Sequence, residues 1–105
     1  MKSAIWTLAA EADVQLLYER LECNELSRGD RFYSEVLSTV KLLESLPELG
    51  LVVYGDRIRR VLVFNRNYGL FYIVEPRGVI IHALPDLRQD PRQIKKRIVP
   101  TDPEG

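Results

Sequence analysis

The hydrophobic rhythm of the chain changes three times. Ala4-Ile5-Trp6-Thr7-Leu8 is short, apolar and partly β-branched, which predicts a first strand. From Ala9 the period lengthens. Val14, Leu17, Tyr18 and Leu21 recur at i, i+3, i+4 and i+7, one face of a helix, with Glu11, Asp13, Glu19 and Glu22 elsewhere around it. Asn24 to Gly29 is polar and turn-like. A second helix is predicted from about Asp30, whose carboxylate can cap it, with Phe32, Val36, Val40 and Leu43 as its apolar stripe. Pro47 and Gly50 stop it.

After Gly50 the pattern breaks into short apolar runs. Ile58–Phe64, Tyr68–Glu75 and Val79–Leu84 are predicted strands, separated by Asn65-Arg66-Asn67 and Pro76-Arg77-Gly78. Both spacers read as turns; in the second, proline presets φ and glycine accepts positive φ, a hairpin signal, and the three runs make an antiparallel meander. The runs are apolar on both faces, so helices should cover one face and another element part of the other. Asp90-Pro91-Arg92-Gln93 then has the cap, first-turn proline and capping-box spacing of a short final helix, which Pro100 ends. Thr101 to Gly105 is expected to fray. The predicted order is β-α-α-β-β-β-α, an α+β domain with a helical hairpin on a small, mainly antiparallel sheet.

At 105 residues the chain makes one domain with a thin core, which a partner covering apolar surface would help to stabilise. Its formal charge is zero, but the halves differ. Residues 1–50 hold nine acids and five bases, and residues 51–105 six acids and ten bases, so they carry −4 and +4. Between Arg57 and Arg97 ten bases face only Glu75, Asp86 and Asp90. That asymmetry suits either a basic face meeting nucleic acid or an acidic partner, or two solvated faces of different charge. Cys23 is the lone cysteine, so no intrachain disulfide forms and a reducing compartment is expected. The start meets Glu11 and Asp13 too early for a signal peptide, and no apolar run has membrane-spanning length. The expected location is cytoplasmic, with no membrane partner.

Candidate chemistry is sparse. His82, the one histidine, stands mid-strand between Ile81 and Ala83 and reads as a hydrogen-bonded structural residue. One histidine and one cysteine far apart make no metal cluster, and no phosphate loop or nucleophile elbow is present. No cofactor is expected, and no catalytic residue stands out. Arg57, Arg59 and Arg60 open one strand, with Arg60 on the face opposite the other two. Arg88, Arg92 and Lys96 follow the last strand.

The order of elements, and several patterns within it, resemble the RelE/ParE superfamily of type II toxin–antitoxin toxins. The pieces are Ala12-Asp13-Val14 with Leu17-Tyr18, then Leu46-Pro47-Glu48-Leu49-Gly50, Arg59-Arg60-Val61-Leu62-Val63-Phe64, Tyr68-Gly69-Leu70-Phe71-Tyr72-Ile73-Val74, and the stretch from Ile81 to Pro91. The closing stretch is most similar to the ParE-like plasmid stabilisation branch. There a His-x-x-Arg-Asp-Pro pattern is frequent; here it reads Asp86-Leu87-Arg88-Gln89-Asp90-Pro91. RelE-type nucleases usually carry arginine at the position of Gly69, basic residues where Asp86 and Leu87 stand, and often a tail tyrosine, whereas the last tyrosine here is Tyr72.

The resemblance implies a toxin neutralised by a cognate antitoxin, acting as a ParE-like inhibitor of DNA gyrase by binding rather than chemistry. The alternatives are a ribosome-dependent mRNA endonuclease of RelE type, or a toxin that keeps only antitoxin binding. It implies a target-binding surface at Arg59, Arg60, Arg88 and Arg92. Antitoxin contact is implied at the hairpin residues Leu17, Tyr18, Leu21, Tyr33 and Leu37, by helix-in-groove recognition. Assembly as a homodimer or as a toxin–antitoxin hetero-oligomer is compatible with both.

Overall fold

A computed structural model describes residues 2–99. The expected end of the last helix at Pro100 and the tail from Thr101 lie outside the described residues. In chain order the elements are β1 (Ala4–Trp6), α1 (Leu8–Asn24), α2 (Arg28–Ser45), β2 (Leu51–Tyr54), β3 (Ile58–Val63), β4 (Tyr68–Glu75), β5 (Gly78–Ala83) and α3 (Pro91–Ile98). They build the α+β architecture expected, with one strand more. β2 lies in the apolar run after Gly50 that the periodicity left unassigned. It is four residues long and irregularly paired at Val53, so it shows no alternation to read.

The strands form one sheet in the order β1-β5-β4-β3-β2, with β1 parallel to β5 and the other pairs antiparallel. The α1–α2 hairpin packs on one face. There Val14, Leu17, Leu21, Phe32, Val36, Val40 and Leu43 meet Leu70, Tyr72, Val79 and Ile81 in the main core. The opposite, outer face is apolar too, and α3 covers part of it: Ile94 and Ile98 pack on Ile58, Phe71 and Ala83. The element expected to cover the second face is therefore the last helix.

Local chemistry sets the helix ends. The Thr7 hydroxyl accepts from Ala10 N at 3.1 Å, capping α1, and donates to the His82 carbonyl at 3.0 Å, tying that cap to β5. At α2 the cap differs from the one expected. The helix begins at Arg28 after Ser27, whose φ is 70°, and Asp30 sits in the first turn, accepting from the Tyr18 hydroxyl at 2.8 Å. Glu22 of α1 supplies the cap, taking the N–H groups of Ser27 and Asp30 at 3.3 and 3.1 Å. Asp90 caps α3 as predicted, accepting from Arg92 N at 2.9 Å.

The β3–β4 turn runs through three consecutive left-handed residues, Phe64, Asn65 and Arg66. Asparagine tolerates that region; phenylalanine does not. Phe64 is held there by its surroundings. Its N–H donates to the Glu35 carboxylate of α2, and its ring meets Phe32 edge-on at 5.7 Å and stacks near Tyr68 at 6.2 Å.

Candidate antitoxin and target surfaces

The four arginines expected on one target-binding surface are dispersed. Arg59 and Arg60 point to opposite faces of β3, as alternation requires. Arg59 faces the hairpin side, where its guanidinium donates to the Gly50 and Glu48 carbonyls at 2.7 and 3.2 Å. It is a brace for the 46–50 loop. Arg60 lies on the outer face, its stem crossing Gly69 of the neighbouring strand. Arg88 and Arg92 are each paired with the aspartate two residues before them: Arg88 with Asp86 at 2.8 Å, Arg92 with Asp90 at 3.0 Å. In both, the arginine backbone N–H donates to the same carboxylate at 2.9 Å. These contacts hold the Asp86 and Asp90 carboxyls below the ordinary aspartate range, and Asp86 in turn raises Arg88. Asp86-Leu87-Arg88 and Asp90-Pro91-Arg92 are one device used twice, and the repeated spacing was there to be noticed in the sequence. Arg88 lies over the Tyr68 ring at 5.6 Å, on the hairpin side of the sheet. The four thus stand on both sides of the sheet, Arg59 and Arg88 on the hairpin side and Arg60 on the outer side.

The hairpin residues also divide. Leu17 and Leu21 are core, 6% and 5% exposed, and show only an edge to the cleft beneath the hairpin tip. Their helical spacing is the same whether the stripe is buried or shared, so sequence alone could not separate the roles. Tyr18 is half-buried, its hydroxyl pushed up by the hydrogen bond to Asp30. Tyr33 and Leu37 are each 45% exposed. They line a groove of about 350 Å³ with Trp6, Val14, Glu11 and Gln15. Trp6, from the end of β1, is the member the sequence reading missed.

Gly69 occupies the place where RelE-type nucleases usually carry arginine. A Cβ there would come within 2.9 Å of Leu87 Cδ2, 3.0 Å of Phe71 Cε1 and 3.1 Å of Arg60 Cδ. A side chain there would have to displace those side chains by a few tenths of an ångström. His82 is half-buried, with Nε2 3.1 Å from the Ile98 carbonyl at the end of α3, a structural latch as expected. Among the described residues no group of histidine, cysteine and carboxylate side chains is placed to hold a metal ion. No described helix is long and apolar enough to cross a membrane.

Charge follows the layers. The hairpin helices carry most of the acids of the first half, whereas α3, on the outer side, has Arg92, Lys95, Lys96 and Arg97 and no acid. Arg97 is taken by Asp13 of α1, the same carboxylate that accepts from Leu84 N at 2.8 Å. Arg92, Lys95 and Lys96 are exposed on α3, on the same side of the sheet as Arg60, with Leu51 and Leu62 exposed on that face.

Among curated proteins no sequence matches. A chain of the chromosomal ParDE TA system from P. aeruginosa has the same fold at a TM-score of 0.71, with 17% identity, covering 82% of this chain and 96% of that one. Residues 4–91 match the ParE toxins of type II toxin–antitoxin systems, parDE, so β1 through the start of α3 follow that pattern. The chain belongs to the ParE toxin family.

Proposed function

We propose that this type II toxin inhibits DNA gyrase through its basic outer side and is neutralised by an antitoxin that covers the helical hairpin. The antitoxin reading is supported by the family and by the groove where Tyr33 and Leu37 stand exposed beside Trp6. An amphipathic helix laid in such a groove buries apolar anchors spaced by one turn, the spacing of Tyr33 and Leu37 themselves.

One observation carries the target reading. α3 carries Lys95, Lys96 and the Asp90-paired Arg92 on the same side of the sheet as Arg60, while the acidic hairpin lies on the other and takes Arg97. A basic side of this kind attracts gyrase-held DNA or an acidic protein surface. Gly69, standing where a nuclease arginine would, supports binding without RNA cleavage.

The test is an Arg60→Ala/Arg92→Ala variant, scored for gyrase supercoiling inhibition in vitro, melting temperature and antitoxin binding. Arg92 is exposed and Arg60 half-buried, its stem over Gly69, so melting should change by about 1 kcal/mol or less. Inhibition should fall at least tenfold and antitoxin binding should persist. Full inhibition by the variant rejects the outer side as the target surface.

A further inference from the structure

Beneath the tip of the hairpin lies a second cleft, of about 390 Å³, lined by Arg20, Arg28, Arg88, Tyr68, Glu25 and Asp86, among others. It is neither the hairpin groove nor the outer side. Its arginines come from three parts of the chain: α1, the start of α2 and the segment after β5. Two are oriented by aromatic rings, with the Arg28 guanidinium 5.4 Å from the Phe64 ring centre and that of Arg88 5.6 Å from that of Tyr68. A guanidinium held against a ring has its plane fixed, which lowers the entropic cost of ordering when an anion arrives. Arg88 already gives Nε–H and Nη2–H to Asp86 and the Tyr68 hydroxyl, so Nη1 is the group it can offer. Arg20 has no ion-pair partner among the described residues. Arg28 reaches Glu25 at only 3.4 Å. Three arginines against two carboxylates leave the cleft with one net positive charge.

We infer that this cleft receives a single carboxylate side chain of the antitoxin, held by Arg20, Arg28 and Arg88. This rests on the antitoxin reading above and adds a charged anchor to its apolar one. One carboxylate brings the cleft to neutrality and matches the paired donors of a guanidinium edge. A nucleic-acid strand fits less well. Its phosphates come in series, and the turn around the cleft carries Glu22, Glu25 and Asp30, which repel the neighbours of any phosphate seated there.

The principal variant is Arg20→Ala, because Arg20 braces nothing in the toxin; Arg88→Ala is the second. Each is measured for its Kd with the purified product of the adjoining reading frame at 50 and 300 mM salt, beside Tyr33→Ala/Leu37→Ala. Arg20→Ala should weaken binding about tenfold or more, the size of a close charge pair at a partly desolvated interface, and should flatten the salt dependence. Its melting temperature should stay unchanged. If Tyr33→Ala/Leu37→Ala weakens binding and Arg20→Ala does not, the hairpin reading stands and the cleft inference is overturned. If a short DNA duplex, rather than the antitoxin, loses affinity for Arg20→Ala, the cleft is a phosphate site and the inference again fails.

A measurement on the toxin alone needs no antitoxin. Titration with a tripeptide capped at both ends and carrying a central glutamate should move the side-chain Nε–H signals of Arg20, Arg28 and Arg88 together and saturably. Shifts spread evenly over the surface arginines overturn the assignment, even if the adjoining gene product proves not to be an antitoxin.

Discussion

Tyr72 is wholly buried, yet its hydroxyl accepts from Gly50 N at 2.8 Å and donates to the Pro47 carbonyl at 2.7 Å. Burial pushes the phenol up, so it stays protonated and able to donate. Together with Arg59, this side chain holds the turn of Leu46-Pro47-Glu48-Leu49-Gly50. Gly50 has no alternative, since a Cβ would sit 2.8 Å from the Tyr72 ring and 2.9 Å from the Arg60 carbonyl. Tyr72→Phe should cost about 1–3 kcal/mol in urea unfolding, because both backbone groups lose a buried partner. The Asp86–Arg88 pair has a different signature. Asp86 is held below its unfolded value, chiefly by hydrogen bonds from the Arg88 side chain, so its contribution is present above the unfolded aspartate pKa of about 3.9 and is lost as pH falls through the folded one. Arg88 is mostly exposed, which limits the contribution to about half a kcal/mol. Asp86→Asn should lower the melting temperature slightly at pH 7 and leave it unchanged near pH 2. An equal loss at both pH values would mean that the pair does not act through charge.

Among the helices, α3 is the one whose packing is thinnest. It offers two buried residues to the outer face, Ile94 and Ile98, and is tied down by the His82 latch and by Arg97 on Asp13. Ile98→Ala should cost about 2–5 kcal/mol if that helix packs as part of the core. Hydrogen exchange should then rise in α3 before it rises in β4. His82→Gln keeps a donor within reach of the Ile98 carbonyl and should leave toxicity intact; lost toxicity with unchanged folding would give the histidine a chemical role. β2 is the other marginal element, an edge strand with Leu51 73% exposed and no charged residue within its four positions. Such an edge is open to pairing with another strand.

Over the whole molecule, the zero net charge resolves into an acidic hairpin layer and a basic outer layer, separated by one sheet. If antitoxin and gyrase use opposite layers, induction in a growing bacterium should give filamentation and a DNA-damage response. Immediate arrest of protein synthesis, read by pulse labelling, would assign the ribosome instead. Much of this was legible along the chain. Helical spacing, the turn residues and the Asp90-Pro91 cap depend on neighbours a few residues apart, and they predicted three helices, four of the five strands and the structural part played by His82. The family pattern was legible for the same reason, as an order of local pieces. Tertiary structure decided which residues of a stripe are core and which are surface. Tyr18 and Leu21 stand on one predicted stripe, yet the sheet buries Leu21 and leaves Tyr18 half-buried at the surface. It also decided where each arginine goes: Arg59 to a loop, Arg60 across Gly69, Arg88 and Arg92 to their own aspartates, and Arg20 and Arg28 to a shared cleft. A side chain's partners across the fold are set by how layers stack, over separations that no periodicity spans. The elements could therefore be read from sequence, while the surfaces they make could not.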